Sequence, residues 1–115
     1  MSEEYPMHTC ESGALKHLED KLRLDLIPPE CIEAIGSVLS YGAKKYSDRN
    51  WEKGIQMSIQ YGSALRHLMS WAKGIDIDKE SGLHHIDQAL TNLAMIATQT
   101  RRGRVDLDDR QNLDN

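Results

Sequence analysis

Apolar positions recur at helical spacing in three stretches of this chain, and the repeat breaks between them. The first stretch starts behind Pro28-Pro29, since proline is tolerated in a helix's first turn, and carries Ile32, Ile35, Leu39 and Ala43 to an end near Lys45 or Tyr46. The second runs from about Met57 to Lys73 with Met57, Tyr61, Ala64, Leu65, Leu68 and Ala72 on one stripe and Gly74 as its stop. The third opens near Glu80 or Ser81, turns Leu83, Ile86, Leu90, Leu93, Ala94 and Ala97 inward, and ends by Arg102 and Gly103. No segment alternates convincingly like a strand. Residues 16–27 read both ways: Leu22, Leu24 and Leu26 alternate as if extended, whereas Leu15, Leu18 and Leu22 repeat helically, so an irregular segment with a helical turn is expected. The predicted fold class is therefore all-α, an antiparallel helical bundle. Residues 1–15 read as a loose N-terminal arm, 16–104 as a single helical domain and 105–115 as a polar tail.

Composition adds a constraint on assembly. The chain has 115 residues, a formal charge of −4 and no phenylalanine, so its core has to come from Leu, Ile, Ala and Met. Three helices on so short a chain leave apolar faces to cover, and the bundle is expected to be completed by oligomerisation, as a homodimer or homotetramer. No apolar run approaches the length of a bilayer span, and Met1-Ser2-Glu3-Glu4 lacks the basic-then-apolar pattern of a secretory signal. A cytoplasmic protein without membrane contact is expected. Cys10 and Cys31 form neither a CxxC motif nor a disulfide framework and receive no chemistry.

Charge excludes one partner class. Arg101, Arg102 and Arg104 are followed at once by Asp106, Asp108 and Asp109, which cancel their field within a Debye length, so no nucleic-acid polymer is expected. A small anion bound through a metal ion remains compatible with this balance.

Two pairs of ligand-type residues stand at three-residue spacing, Glu30 with Glu33 and His84 with Asp87. Residues three apart share a helix face, so neighbouring helices could bring four ligands to one ion. Oxygen donors of this kind suit magnesium or manganese. The plainer reading is that carboxylates in a first turn stabilise the helix dipole and that paired histidines are surface residues. Between the pairs, Lys44, Lys45, Arg49, Asn50 and Trp51 gather cations, an amide and a flat aromatic within eight positions. Cations suit phosphates, and a nucleobase wants stacking and an edge-reading amide. A basic helix end followed by a turn whose tryptophan covers the core reads equally well. Arg66 and His67 offer a further phosphate contact or a core-edge position. Asp76, Asp78 and Glu80 imitate a calcium loop, but Ser81 stands where the EF-hand requires glycine. Walker, GxGxxG and GxSxG motifs are absent.

The runs Asp25-Leu26-Ile27-Pro28-Pro29-Glu30, Tyr41-Gly42-Ala43-Lys44-Lys45-Tyr46, Arg49-Asn50-Trp51-Glu52-Lys53-Gly54, Ala64-Leu65-Arg66-His67-Leu68 and Asp78-Lys79-Glu80-Ser81-Gly82-Leu83-His84-His85 follow one another in order. Together, over roughly residues 16–98, they resemble the phage dATP/dGTP diphosphohydrolase family. The resemblance implies a relative of the all-α MazG and HisE pyrophosphohydrolases, which pair chains to complete their bundles and use magnesium held by an ExxE and an ExxD element. Glu30 and Glu33 fit the first element. Asp87 fits the aspartate of the second, whereas His84 stands where those proteins have glutamate, and His85 competes with it for a functional role. The implied substrate is dATP, dGTP or both, cleaved to the monophosphate and pyrophosphate, in phages that make 2-aminoadenine DNA; the compartment is then the host cytoplasm. On this reading Glu30, Glu33 and Asp87, with His84 beside them, hold magnesium or manganese, and Glu33 serves as base. Lys44, Lys45 and Arg66 stabilise the leaving pyrophosphate, and Arg49, Asn50, Trp51, His67 and His85 contact substrate. Two rivals remain: an HD-like phosphohydrolase with a transition metal on His67, His84, His85 and Asp87, and a non-catalytic helical module.

Overall fold

A computed structural model describes residues 7–17 and 21–110. Expectations for residues 1–6, 18–20 and 111–115 fall outside it. Three helices dominate: α1 (Pro29–Lys45), α2 (Met57–Ala72) and α3 (His85–Arg101). Helix α3 packs against both α2 and α1, most extensively against α2. The predicted all-α class holds, and α1 and α2 lie where the spacing puts them.

Four local expectations are corrected. The N-terminal arm contains a small antiparallel hairpin, β1 (Met7–Thr9) on β2 (Leu15–His17), with Met7 opposite His17 and Thr9 opposite Leu15. Its turn is closed by Cys10 and Gly13, whose φ of 88° only glycine adopts freely. Three-residue strands are too short for alternation to reveal them. Next, α3 begins at His85 rather than near Glu80. The intervening residues close on themselves instead: Asp78 N–H donates to Leu83 O, Gly82 N–H to Asp78 O and His85 N–H to Asp76 O, with an isolated bridge between Ile77 and His84. His84 is the N-cap, its Nδ1 accepting from Ile86 N–H at 3.1 Å.

The tail expected from residue 105 is also structured as far as it is described. A short 3₁₀ turn, Val105–Leu107, returns the chain to the start of α2, where Asp109 accepts the Ser58 backbone N–H at 2.9 Å. Gly54 permits this approach. A Cβ there would stand 2.8 Å from the Arg104 guanidinium and 3.2 Å from Leu107, at a φ of 116°.

The fourth correction concerns the core. Of the α2 stripe, Met57 and Ala64 are buried, but Tyr61, Leu65, Leu68 and Ala72 face solvent, and Gln60 takes the inner position. On α3 the buried residues are His85, Gln88, Ala89, Thr91 and Gln99, while Leu93 is 48% exposed. The interior is thus polar and satisfied mainly by side-chain amides. Gln99 Nε2 donates to Ile55 O at 2.9 Å and to Gln60 Oε1 at 3.0 Å, and its Oε1 accepts Ile55 N–H at 3.1 Å. Apolar stripes remain outside, and the radius of gyration is 19.3 Å, against about 13 Å for a compact chain of this length. No helix among the described residues is long and apolar enough to cross a membrane.

Candidate active site

A cleft of about 500 Å³ opens between the C-terminal half of α1, the turn after it, and the facing sides of α2 and α3. Its floor includes Gln60, Ser63, His67, Gln88 and Asn92; its rim carries Lys45, Arg49, Asn50 and Trp51. The rim is shaped by a 3₁₀ turn, Asn50–Lys53, entered through Arg49 in the left-handed region at φ 56°. That conformation is uncommon for a residue with a Cβ and costs about 1 kcal/mol or more, so the surrounding contacts have to hold it. Glu52 supplies them, reaching Arg49 at 3.6 Å and Arg102 at 2.6 Å. Lys45 lies 3.7 Å from Glu80 and 5.4 Å from the centre of the Tyr46 ring. Five of the residues singled out in the sequence therefore meet around one cavity: Lys45, Arg49, Asn50, Trp51 and His67.

The floor holds a donor that no spacing or motif singles out. Gln60 is 2% exposed, and its Nε2 has no hydrogen-bond partner among the described residues. The amide cannot simply be reversed. Ile55 N–H requires an oxygen, which fixes Gln99, and Gln99 Nε2 then requires the oxygen of Gln60. An unpaired buried donor costs about 1–3 kcal/mol. Gln60 itself lines the cleft.

The remaining candidates are distributed differently. Glu30 and Glu33 are exposed in the first two turns of α1, Asp87 is half-buried in the first turn of α3, and Lys44 and Arg66 are exposed. Glu30, Glu33, His84 and Asp87 do not converge as metal ligands within one chain; among the described residues the group that does is His67, Asp78 and His85. His84 is occupied, with Nδ1 capping α3 and Nε2 3.8 Å from Asp76. His85 is buried beneath His67, their Nδ1 atoms 2.8 Å apart. Desolvation and the neighbouring His85 push the His67 pKa down. Burial pushes Asp78 up, but the Glu80 N–H and the Gln88 and Ser81 side chains outweigh it and hold the carboxyl below its ordinary value. In the sequence Asp78 belongs to the rejected calcium loop and opens the run through His85 that carries the resemblance, but nothing in its spacing points to two histidines on other elements.

The family model for the dATP/dGTP diphosphohydrolase N-terminal region matches residues 11–110. The chain belongs to this family. It is 34% identical over 82 residues to a protein of Salmonella phage PMBT28 named dATP/dGTP diphosphohydrolase. That match covers 71% of this chain and 28% of the phage protein, so the chain spans little more than a quarter of the relative's length. No solved structure matches the chain.

Proposed function

We propose that the chain carries the nucleotide site of a dATP/dGTP diphosphohydrolase, releasing the deoxynucleoside monophosphate and pyrophosphate. The observation that carries the reading is the cleft lined by Gln60, whose Nε2 has no hydrogen-bond partner among the described residues, together with Trp51, Asn50, Lys45 and Arg49. A purine is rich in ring-nitrogen acceptors and offers a face for stacking, which suits Gln60 Nε2 and the indole. Lys45 and Arg49 attract the triphosphate, and Lys44 and Arg66 add positive charge at its edge. His67 contacts the substrate side of the floor, whereas the buried His85 acts through His67.

The donor chemistry of Glu30, Glu33 and Asp87 suits magnesium, with manganese as the alternative; since the three do not converge within one chain, Glu30 and Glu33, which share a helix face, would hold the ion first. When bound, it neutralises phosphate charge and lowers the pKa of coordinated water. Glu30 and Glu33 are exposed side chains on adjacent turns, able to reorient toward a ligand. Glu33 accepts a proton from the attacking water as its oxygen bonds to the α-phosphorus. The bond from that phosphorus to the bridging oxygen breaks, and pyrophosphate leaves with the electron pair. The exposed apolar side chains of α2, among them Tyr61, Leu65, Leu68 and Met69, with Leu93 of α3, favour pairing with a second copy of the chain, and a role in supplying 2-aminoadenine DNA synthesis suits the purine substrate.

Gln60→Leu tests the base site. The substitution removes one unpaired donor and leaves another, the Gln99 Nε2 hydrogen that Gln60 Oε1 accepted, while the Gln99 bond to Ile55 O stays, so thermal stability should change little. KM for dATP or dGTP should rise by about tenfold, the value of one buried hydrogen bond. An unchanged KM in a folded variant would place the base elsewhere.

A further inference from the structure

We propose that His67, Asp78 and His85 form a binding site for a divalent transition-metal ion at the inner wall of the cleft. This site is separate from the carboxylates assigned to magnesium above and does not depend on that assignment. Three elements build it: His67 comes from α2, Asp78 from the loop after it and His85 from the first position of α3. One ligand atom from each lies within 4.8 Å of the other two.

The spacing of the two imidazoles is the strongest observation. Their Nδ1 atoms are 2.8 Å apart, with the ring centres at 5.1 Å and the planes tilted by 41°. Two nitrogens bound to one ion at about 2.0–2.1 Å, at octahedral to tetrahedral angles, stand about 2.9–3.4 Å apart. The pair is thus within a few tenths of an ångström of chelating geometry. Without an ion, one ring has to donate its Nδ1 proton to the other.

Asp78 is oriented as a ligand's carboxylate commonly is. Its Oδ1 accepts Glu80 N–H at 3.0 Å, and its Oδ2 accepts the Ser81 hydroxyl and the Gln88 amide, each at 3.2 Å. A carboxylate offers about four acceptor directions, so three are used and one remains. Hydrogen bonds that fix a ligand's direction are typical of built metal sites. Gln88 also lines the cleft, as does His67, so the set borders the cavity that the nucleotide is proposed to fill. Two imidazoles and one carboxylate select zinc, cobalt, iron or manganese over magnesium, which prefers oxygen donors.

The test is titration of the chelator-treated full chain with cobalt(II), followed by its visible d–d absorption, and with zinc(II) by calorimetry, both in excess magnesium. One equivalent per chain should bind with an imidazole-type spectrum. His67→Gln and Asp78→Asn should each weaken binding at least tenfold with helical circular dichroism intact, while Glu33→Gln should leave it unchanged. His85 is buried and its replacement risks unfolding, so the half-buried His67 and Asp78 carry the decision. No saturable binding by the parent protein, or equal affinity in both folded variants, would overturn the site. Magnesium-dependent pyrophosphate release measured on the same samples keeps the two readings apart. Loss of hydrolysis in Glu33→Gln with cobalt binding kept supports both; hydrolysis without cobalt binding removes only this site.

Discussion

The carboxylates that open α1 and the imidazoles between α2 and α3 differ in what fixes their positions. Glu30 and Glu33 share one helix face and are exposed, so only their own helix holds them. His67, Asp78 and His85 come from separate elements and are placed by packing, by the closed loop between Asp76 and His85, and by hydrogen bonds to Asp78. The first pair is held by no contact from another element among the described residues. The other is organised before anything binds.

The sharpest way to break this comparison is at the carboxylates. Glu33→Gln and Asp87→Asn should each lower magnesium-dependent pyrophosphate release by about 100-fold or more, the scale of removing a group that stabilises transition-state charge. Helical content should not change, because neither side chain is in the buried core. Wild-type turnover in both variants, measured beside circular dichroism, would move the ion away from α1 and α3.

In the polar interior between α2 and α3, Gln99 makes three hydrogen bonds, to both backbone groups of Ile55 and to Gln60. Gln99→Leu strips partners from both polar groups of the Ile55 peptide and from Gln60 Oε1. Stability should fall by about 2 kcal/mol, since these groups are part-buried and water replaces some of the bonds. Chemical denaturation reads this directly. A loss below about 0.5 kcal/mol would show that the amide network contributes little to the floor of the cleft.

The smallest expected effect is in the pH dependence of the metal-free protein. His67 faces His85, Asp78 and Arg66, and its pKa is lowered below the ordinary 6.5, first by desolvation and then by His85. The unfolded chain therefore takes up the proton first as pH falls. The contribution is fully present above 6.5 and is lost as pH falls from 6.5 toward the depressed folded value. Melting temperature should decline through that window, and more weakly in His67→Gln. Equal slopes in the two proteins would assign the titration to another group.

Much of the frame is legible in the sequence. Pro28-Pro29 and Gly74 mark helix ends through backbone restrictions that tertiary contacts rarely override, and α1 and α2 start and stop beside them. The cation, amide and tryptophan run from Lys45 to Trp51 is local, so its gathering around a cleft follows from one turn. The buried face was not legible. Hydrophobic periodicity turns Tyr61, Leu65 and Leu93 inward, whereas the interior holds Gln60 and Gln99, which pair with each other and with the Ile55 backbone, Gln88, which donates to Asp78, and Thr91, which donates to the Asp87 carbonyl. Amide pairing of this kind depends on register between helices. Spacing along one helix carries no record of it. The same limit explains Asp78, which meets His67 and His85 only through the loop's closure.

Identifying the products of dATP and dGTP in the presence of magnesium tests the central claim most directly. The account predicts the deoxynucleoside monophosphate and pyrophosphate in equal amounts, with turnover lost in Glu33→Gln. Release of inorganic triphosphate with the free deoxynucleoside, or no cleavage of either nucleotide with magnesium or manganese, would contradict it.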